Sequence, residues 1–146
     1  MPELSFDIVG RDPDQRLQQR AAANPDIHLH GFVDDLEEFH QRCRVFVVPL
    51  LFGSGMKVKV LHGLYRGLPM VTTDIGAEGI AMQDGTHGHI APKGDAGTFS
   101  DMVVQLMTNR EEWEAMRDAS RTLARTMYTW EQHLSALEAH LAELLG

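Results

Sequence analysis

The sequence predicts an α/β protein with a doubly wound parallel sheet of about five strands, helices on both faces and a helical C-terminus. Apolar and β-branched runs alternate with helical patterns from Leu4 to Pro92. The run VFVVPL, residues 45–50, contains no polar side chain, which is typical of a strand that is covered on both faces. The interval before the next run, MVTT at residues 70–73, is long enough for the helical crossover that joins parallel strands.

Local signals predict where the individual elements lie. The predicted strands cover residues 4–10, 27–32, 45–50, 70–73 and 88–92. Helix starts are predicted from four caps: Asp12 before Pro13, Asp34 with Glu37, Asn109 with Glu112, and Thr129 with Gln132. Together these elements describe a Rossmann-like order in one domain, residues 1–146.

The last part of the chain is predicted to be helical. Residues 95–107 are amphipathic, and the helix after Asn109 follows them. The final predicted helix carries a narrow apolar stripe made of Trp130, Leu134, Leu137, Leu141 and Leu144. Because the stripe is too short for a lone coiled coil, it is expected to pack on this domain or on another one.

Composition limits the classes of partner. The formal net charge is −8 with 21 acidic residues against 13 basic ones, so no general affinity for nucleic acid is expected. A single cysteine, Cys43, allows no internal disulfide, and the N-terminus shows no signal segment, which favours the cytoplasm. No apolar run reaches the roughly 20 residues that a transmembrane helix needs. Peripheral attachment at the inner face of a membrane stays open.

A short glycine loop marks a candidate anion site. The stretch LFGSGMKVKVLHGLYRGLP begins where the most apolar strand ends, and ligands of open parallel sheets bind at such carboxyl ends. Gly53 and Gly55 allow backbone N–H groups to approach a ligand, and the start of the following helix adds positive charge. The alternative is that both glycines only form a tight turn between strand and helix.

The helix behind the loop is predicted to have one polar and one apolar face. Lys59, His62, Gly63 and Arg66 share the polar side, whereas Met56, Val60, Leu61 and Leu64 share the other. Lys57 falls within the apolar arc but is close enough to the helix start to reach into the loop. Two of only three lysines in the chain therefore lie beside the glycine loop.

Residues 44–80, RVFVVPLLFGSGMKVKVLHGLYRGLPMVTTDIGAEGI, resemble the C-terminal domain of GT-B-fold glycosyltransferases of the group 1, family 4 type. The similar branch reads as a strand ending in proline, then F-G-x-G-x-K-x-K-x-x-E, then G-x-P-V-V-x-T and G-A-E-G. Four further segments occur in the expected order: Gly10 after the first strand, residues 31–33, residues 84–88 and residues 128–131. The resemblance covers almost the whole chain, from Leu4 to Leu144.

This resemblance implies the donor-binding domain of a retaining enzyme that transfers a sugar from a nucleotide-diphospho-sugar to a sugar or lipid-linked acceptor. It implies contacts to the donor diphosphate and sugar from Gly53, Ser54, Gly55, Met56, Lys57, Lys59 and Glu78. It implies contacts to the nucleotide base and ribose from Gly31, Phe32, Val33 and His62. No metal or other cofactor is implied, because the positive helix end neutralises the diphosphate, and no catalytic carboxylate pair is expected.

The chain departs from the wider family at two positions. The family's E-x7-E signature is occupied by Ser54 and His62, so donor binding is expected to be altered, weakened or lost. His62 and Glu78 also have purely structural readings, as a helix-surface histidine and a solvated turn carboxylate. A complete C-terminal half would begin with one more βα unit and follow an N-terminal acceptor domain. The chain is therefore expected to be a fragment without turnover on its own.

Other interpretations are weaker. The pairs His28/His30 and His87/His89 lack a third ligand, so no metal site is predicted. A serine or cysteine nucleophile lacks a base and an orienting acid. A receiver-type signalling domain would need an aspartate where the central strand ends in Pro49 and Leu50. A non-catalytic nucleotide-sugar-binding or scaffold domain derived from the same family stays as the main alternative.

Overall fold

The computed structural model describes residues 4–129, 134 and 141–143. Most of the predicted last helix, with Trp130, Leu137 and Leu144 of its stripe, lies outside these residues. The chain divides into two compact units, one within Met1–Arg42 and one within Cys43–Gly146. Each unit is an α/β arrangement of its own, and the assignment of the whole chain to one domain stays a prediction.

Strands and helices alternate as the sequence predicts. The strands are β1 Phe6–Val9, β2 Ile27–Gly31, β3 Phe46–Val48, β4 Met70–Thr73 and β5 His89–Ala91. The helices are α1 Gln15–Ala23, α2 Glu37–Arg42, α3 Val58–Arg66, α4 Asp74–Ala77, α5 Ala96–Thr108 and α6 Arg110–Met127. All strand pairs are parallel, which confirms the α/β class. Their hydrogen bonds join them as a two-stranded sheet, β1-β2, and a three-stranded sheet, β3-β4-β5.

In the first unit, β1 and β2 pair along their length with a shift of register between Ile8 and Val9, and directly after β1 the Gly10 N–H donates to the Gly31 carbonyl at 2.8 Å. The predicted cap at Asp12 is wrong. Asp14 caps α1 by accepting the Leu17 N–H at 2.7 Å, and Asp12 instead has a left-handed backbone with φ +52°. Before α2, Asp35 rather than Asp34 accepts the Glu37 N–H.

In the second unit, β4 is the central strand of three, and its residues are buried throughout. Successive side chains of a strand point to opposite faces. Met70 accordingly joins a cluster with Val60 and Leu64 of α3, whereas Val71 joins a cluster with Leu106 of α5. Helices therefore cover both faces of this sheet.

The long helix α6 packs into both clusters. α6 contributes Met116 to the cluster on the α5 side and Ala124 to the cluster on the α3 side. Its predicted cap is confirmed, because the Asn109 side chain accepts the Glu112 N–H at 3.1 Å.

Threonine and aspartate side chains tie together the carboxyl ends of the three strands. Thr72 Oγ1 donates to the Val48 carbonyl at 3.1 Å, and Thr73 Oγ1 donates to the Leu50 carbonyl at 2.6 Å. On the other side of β4, the Asp74 carboxylate accepts the Lys93 N–H at 3.1 Å. These bonds fix the edge of the sheet from which the glycine loop departs.

Candidate functional site

The glycine loop between β3 and α3 is open to solvent. Gly53 has φ +148° and Gly55 has φ +78°, and a Cβ at either residue would meet no atom within 4 Å. A larger residue is therefore disfavoured at these positions only by the backbone conformation, which residues other than glycine rarely adopt. Phe52 is 84% exposed and Met56 is 63% exposed. An approaching ligand would meet backbone with little side-chain cover.

Lys57 is the buried residue of this loop. Its Nζ donates to the Gly53 carbonyl at 3.0 Å and to the Gly55 carbonyl at 2.8 Å. Only 6% of the residue is exposed. The sequence indicated that Lys57 could reach into the loop, and the structure brings its ammonium group onto two of the loop's own carbonyl oxygens.

Glu78 follows α4 and approaches the same lysine. Its Oε2 lies 3.7 Å from Lys57 Nζ, and its side chain is 67% exposed. Since the carboxylate is largely solvated, this ion pair contributes little to stability. It nevertheless brings Glu78 beside the glycine loop, so two residues predicted for one site are close in space.

The predicted faces of α3 are confirmed in part: Gly63, predicted on the polar side, is buried because it packs on the sheet, and Met56, predicted on the apolar side, is exposed because it precedes the helix. Val60 and Leu64 are fully buried, whereas Lys59 and His62 are exposed. Gly63 packs against Met70 and Phe46, which leaves no space for a larger residue there. Within the described residues, neither Lys59 nor His62 makes a side-chain hydrogen bond or ion pair, so both are free to meet a ligand. The main chain of α3 begins beside the loop, with Lys57 at the cap and no side-chain capping bond.

The first unit has its own exposed feature at the carboxyl ends of its strands. Gly31 ends β2 with φ +66°, and Phe32 after it is 58% exposed. The Arg11 guanidinium lies 4.1 Å from the centroid of the Phe32 ring, a cation–π distance. Val33 is half-buried. The contact of Arg11 with Phe32 was not predicted from the sequence. The position of Arg11 directly after the glycine that ends the first predicted strand could have indicated that it lies at the carboxyl end of the sheet.

A histidine–aspartate pair also lies in this unit. His30 Nε2 donates to Asp7 Oδ1 at 2.6 Å. This hydrogen bond, the Ser5 hydroxyl and the nearby imidazoles hold the pKa of Asp7 below its ordinary value of 3.8.

The other histidines of the described residues lie apart from any group of potential metal ligands. No group of three His, Cys, Asp or Glu side chains that could hold an ion occurs in the described ranges. His89 is buried with its Nε2 2.9 Å from Glu112 Oε1, but the geometry is not that of a well-directed hydrogen bond. His87 accepts the Gln83 N–H at Nδ1, and burial lowers its pKa below 6.5. Among the described helices, none has the length and apolar character that a membrane span requires.

Comparison with known proteins identifies the family. A family model described as glycosyl transferases group 1 matches residues 1–109. The chain is 29% identical over 105 residues to a phosphatidyl-myo-inositol mannosyltransferase of Mycobacterium leprae; the match covers 70% of this chain and 28% of that enzyme. The chain therefore belongs to the group 1 glycosyltransferases. It spans less than a third of the length of this curated relative.

Solved structures agree on the fold. Anabaena HepE in complex with UDP superimposes with a TM-score of 0.81 at 13% identity, over 99% of this chain and 41% of that one. The pneumococcal O-GlcNAc transferase GtfA in complex with UDP and GlcNAc gives a TM-score of 0.72 at 24% identity, over 99% and 30%. These similarities confirm the Rossmann-like GT-B fold that the sequence resemblance implied.

Proposed function

We propose that this chain is the donor-binding part of a retaining glycosyltransferase that uses a nucleotide-diphospho-sugar. The observation that carries the proposal is the open loop from Gly53 to Lys57, at the carboxyl end of β3 and the start of α3, in a chain of this family. UDP in the HepE and GtfA complexes supports a nucleotide diphosphate as the ligand. The mycobacterial mannosyltransferase supports hexosyl transfer.

The loop would bind the diphosphate through its backbone. N–H groups of residues 53–56, together with the positive end of α3, stabilise negative charge on the phosphate oxygens. The same groups would stabilise the extra charge that forms on the diphosphate as the bond to the sugar breaks. Lys59 would add a flexible positive charge from the exposed face of α3, so that no metal ion is required.

The nucleoside would be recognised by other residues. In the first unit, Gly31, Phe32 and Val33 would contact the base, with the exposed Phe32 ring offering a stacking surface. His62, exposed on α3, would accept a hydrogen bond from a ribose hydroxyl when its imidazole is neutral. Glu78, close to Lys57, would act near the donor sugar or diphosphate.

Titration calorimetry of the 146-residue chain with UDP-glucose, UDP-GlcNAc and GDP-mannose tests the proposal. At least one of these donors is expected to bind, and Gly55→Val is expected to abolish that binding, because a β-branched residue is strongly disfavoured at positive φ. Gly85→Val is the matched control: Gly85 has a similar φ of +73° and equally open surroundings, but lies in the turn before β5. Equal binding by the parent and Gly55→Val would reject the loop as the donor site.

Turnover separates the proposal from its alternative. The isolated chain is expected to transfer no sugar, because catalysis in such an enzyme needs an acceptor domain as well. Measurable transfer by the chain alone would contradict this expectation. A longer protein that contains this chain and binds donor without any transfer would favour a non-catalytic binding or scaffold role.

A further inference from the structure

The buried lysine of the glycine loop has an unusual set of partners. Lys57 Nζ reaches the carbonyl oxygens of Gly53 and Gly55, and its remaining direction approaches Glu78. An ammonium group has three donors. Two are used by the loop itself, and turning the lysine toward a ligand would leave two carbonyl groups without these partners. The contacts of the Lys57 ammonium group are therefore those of a group that stabilises the conformation of the loop.

The two bound carbonyls also set the direction of two N–H groups. A trans peptide group is planar, so its C=O and N–H point in opposite directions. The Gly53 carbonyl shares its peptide group with the N–H of Ser54, and the Gly55 carbonyl shares its group with the N–H of Met56. Because both carbonyls face Lys57, both N–H groups face away from it.

These two N–H groups have no acceptor within the part of the chain that the structure describes. Neither Ser54 nor Met56 donates a backbone hydrogen bond there, and both residues are exposed. Gly53 and Gly55 allow the loop to turn these two carbonyls toward Lys57 and the two N–H groups away from it, since both glycines have positive φ values. The result is a pair of solvent-facing N–H donors, separated by one residue, that can both bind the same anion.

We propose that Lys57 is a positioning residue for the diphosphate loop: it binds the Gly53 and Gly55 carbonyls and thereby directs the Ser54 and Met56 N–H groups at the phosphate oxygens. This role rests on the proposed function, and it differs from the direct diphosphate contact that the sequence suggested for Lys57. The Glu78 carboxylate, 3.7 Å from Nζ and largely solvated, is a weaker and secondary partner of the lysine.

The decisive variant is Lys57→Met, which keeps a flexible chain of similar length but removes the ammonium group. Lys93→Met is the matched control, because Lys93 is exposed and its Nζ has no partner among the described residues. Two measurements are made on the 146-residue chain: backbone order parameters by ¹⁵N relaxation without ligand, and affinity for UDP and for inorganic pyrophosphate by calorimetry.

In Lys57→Met, order parameters at residues 53–56 are expected to fall from the rigid range near about 0.85 to below about 0.6, while those of β4 stay unchanged. Affinity for UDP and for pyrophosphate is expected to fall by about tenfold or more, as for the loss of oriented hydrogen bonds to a charged group. Lys93→Met is expected to match the parent. An unchanged loop in the ligand-free variant would overturn the positioning role, because a lysine that only touches the ligand would not order the empty loop.

A measurement on the parent chain keeps the test independent of how the variant folds. UDP is expected to slow hydrogen exchange at the Ser54 and Met56 amides, and unchanged exchange at both amides under saturating UDP would overturn the inference. The two proposals also fail differently. If the parent binds no nucleotide diphosphate or pyrophosphate, the proposed function fails; if it binds and Lys57→Met binds equally well, only the role of Lys57 fails.

Discussion

Gly76 packs directly against the Oγ1 of Thr72, which leaves no space for a Cβ. Thr72 in turn donates its hydroxyl to the Val48 carbonyl, so β4 is bonded to β3 through the side chain that Gly76 contacts. The first turn of α4 can approach the strand ends this closely only because residue 76 is glycine. The edge of the sheet beneath the candidate site depends on this contact.

Gly76→Ala is therefore expected to lower the free energy of unfolding by about 1–3 kcal/mol, as found for overpacked core positions. The added methyl group must displace Thr72 and weaken its bond to Val48. Urea unfolding followed by circular dichroism measures the change. Gly97→Ala is the control: a Cβ there meets only the Asp95 carboxylate at 3.5 Å, and alanine in this first turn of α5 should be neutral or slightly stabilising. Equal unfolding midpoints for the parent and Gly76→Ala would contradict the packing argument.

The pair of Asp7 and His30 gives a prediction for acid pH. Because the pKa of Asp7 is lowered from 3.8 in the folded chain, its carboxylate stabilises the fold above that pH. This stabilisation is lost as the pH falls through the lower folded-state pKa. Both side chains are about one third exposed, at 34% and 32%, so the contribution is small.

His30→Ala is expected to raise the pKa of Asp7 toward its ordinary value, because the main hydrogen bond to the carboxylate is removed. NMR titration of the Asp7 side-chain carbonyl measures the shift. His28→Ala is expected to raise it less, since His28 acts on Asp7 only through its charge and is the smallest of the causes. An Asp7 pKa that is insensitive to His30→Ala would show that another group lowers it.

His62 lies on α3 at the position of the second glutamate of the E-x7-E signature, and its substitution tests whether it contacts the donor. If the neutral imidazole accepts a hydrogen bond from ribose, His62→Ala should weaken donor binding by about tenfold or less, the effect of one hydrogen bond. Calorimetry compares the variant with the parent.

Arg125→Ala serves as the control for His62, because Arg125 is an exposed residue of α6 with no side-chain partner among the described residues. Equal donor affinities for the parent and His62→Ala would reject any contact between His62 and the donor.

Trp113 joins the start of α6 to the segment before β3. Its indole Nε1 donates to the Arg44 carbonyl at 2.6 Å, and the Arg44 guanidinium lies 4.7 Å from the indole ring. Trp113→Phe keeps an aromatic surface but leaves the part-buried carbonyl without this donor. The free energy of unfolding should fall by about 1–3 kcal/mol. Arg117→Ala removes a more distant guanidinium at 5.5 Å and should cost less; the reverse order in urea unfolding would contradict the assignment.

Much of the fold was predictable because its signals are local. Strand positions follow from apolar runs, and the Asn109 cap follows from a side chain three residues before its partner. The start of α1 was misplaced for the same reason. Asp12 and Asp14 flank Pro13, both can cap a helix, and only the backbone conformation at Asp12 decides between them.

The candidate site was predictable in composition but not in detail. The glycines and the exposed positions of Lys59 and His62 could be predicted because the spacing of residues along one helix or loop reports which side they share. Glu78 was predicted from the resemblance of its G-A-E-G turn to the family. Arg11 on Phe32 and Thr73 on Leu50 could not, since each contact joins residues that are distant in sequence. The order of β3, β4 and β5 likewise depends on pairings between separate segments.

The sequence by itself determined the alternation of strands and helices, the family and the glycine loop, because hydrophobic period and glycine conformation act within a few residues. Only the tertiary structure decided where the Lys57 side chain points. Its side chain can extend toward a ligand or fold back on the loop, and the burial of its ammonium group against Gly53, Gly55 and Glu78 selects the second. A flexible charged side chain takes its direction from the groups that surround it, and those groups come together only in the folded chain.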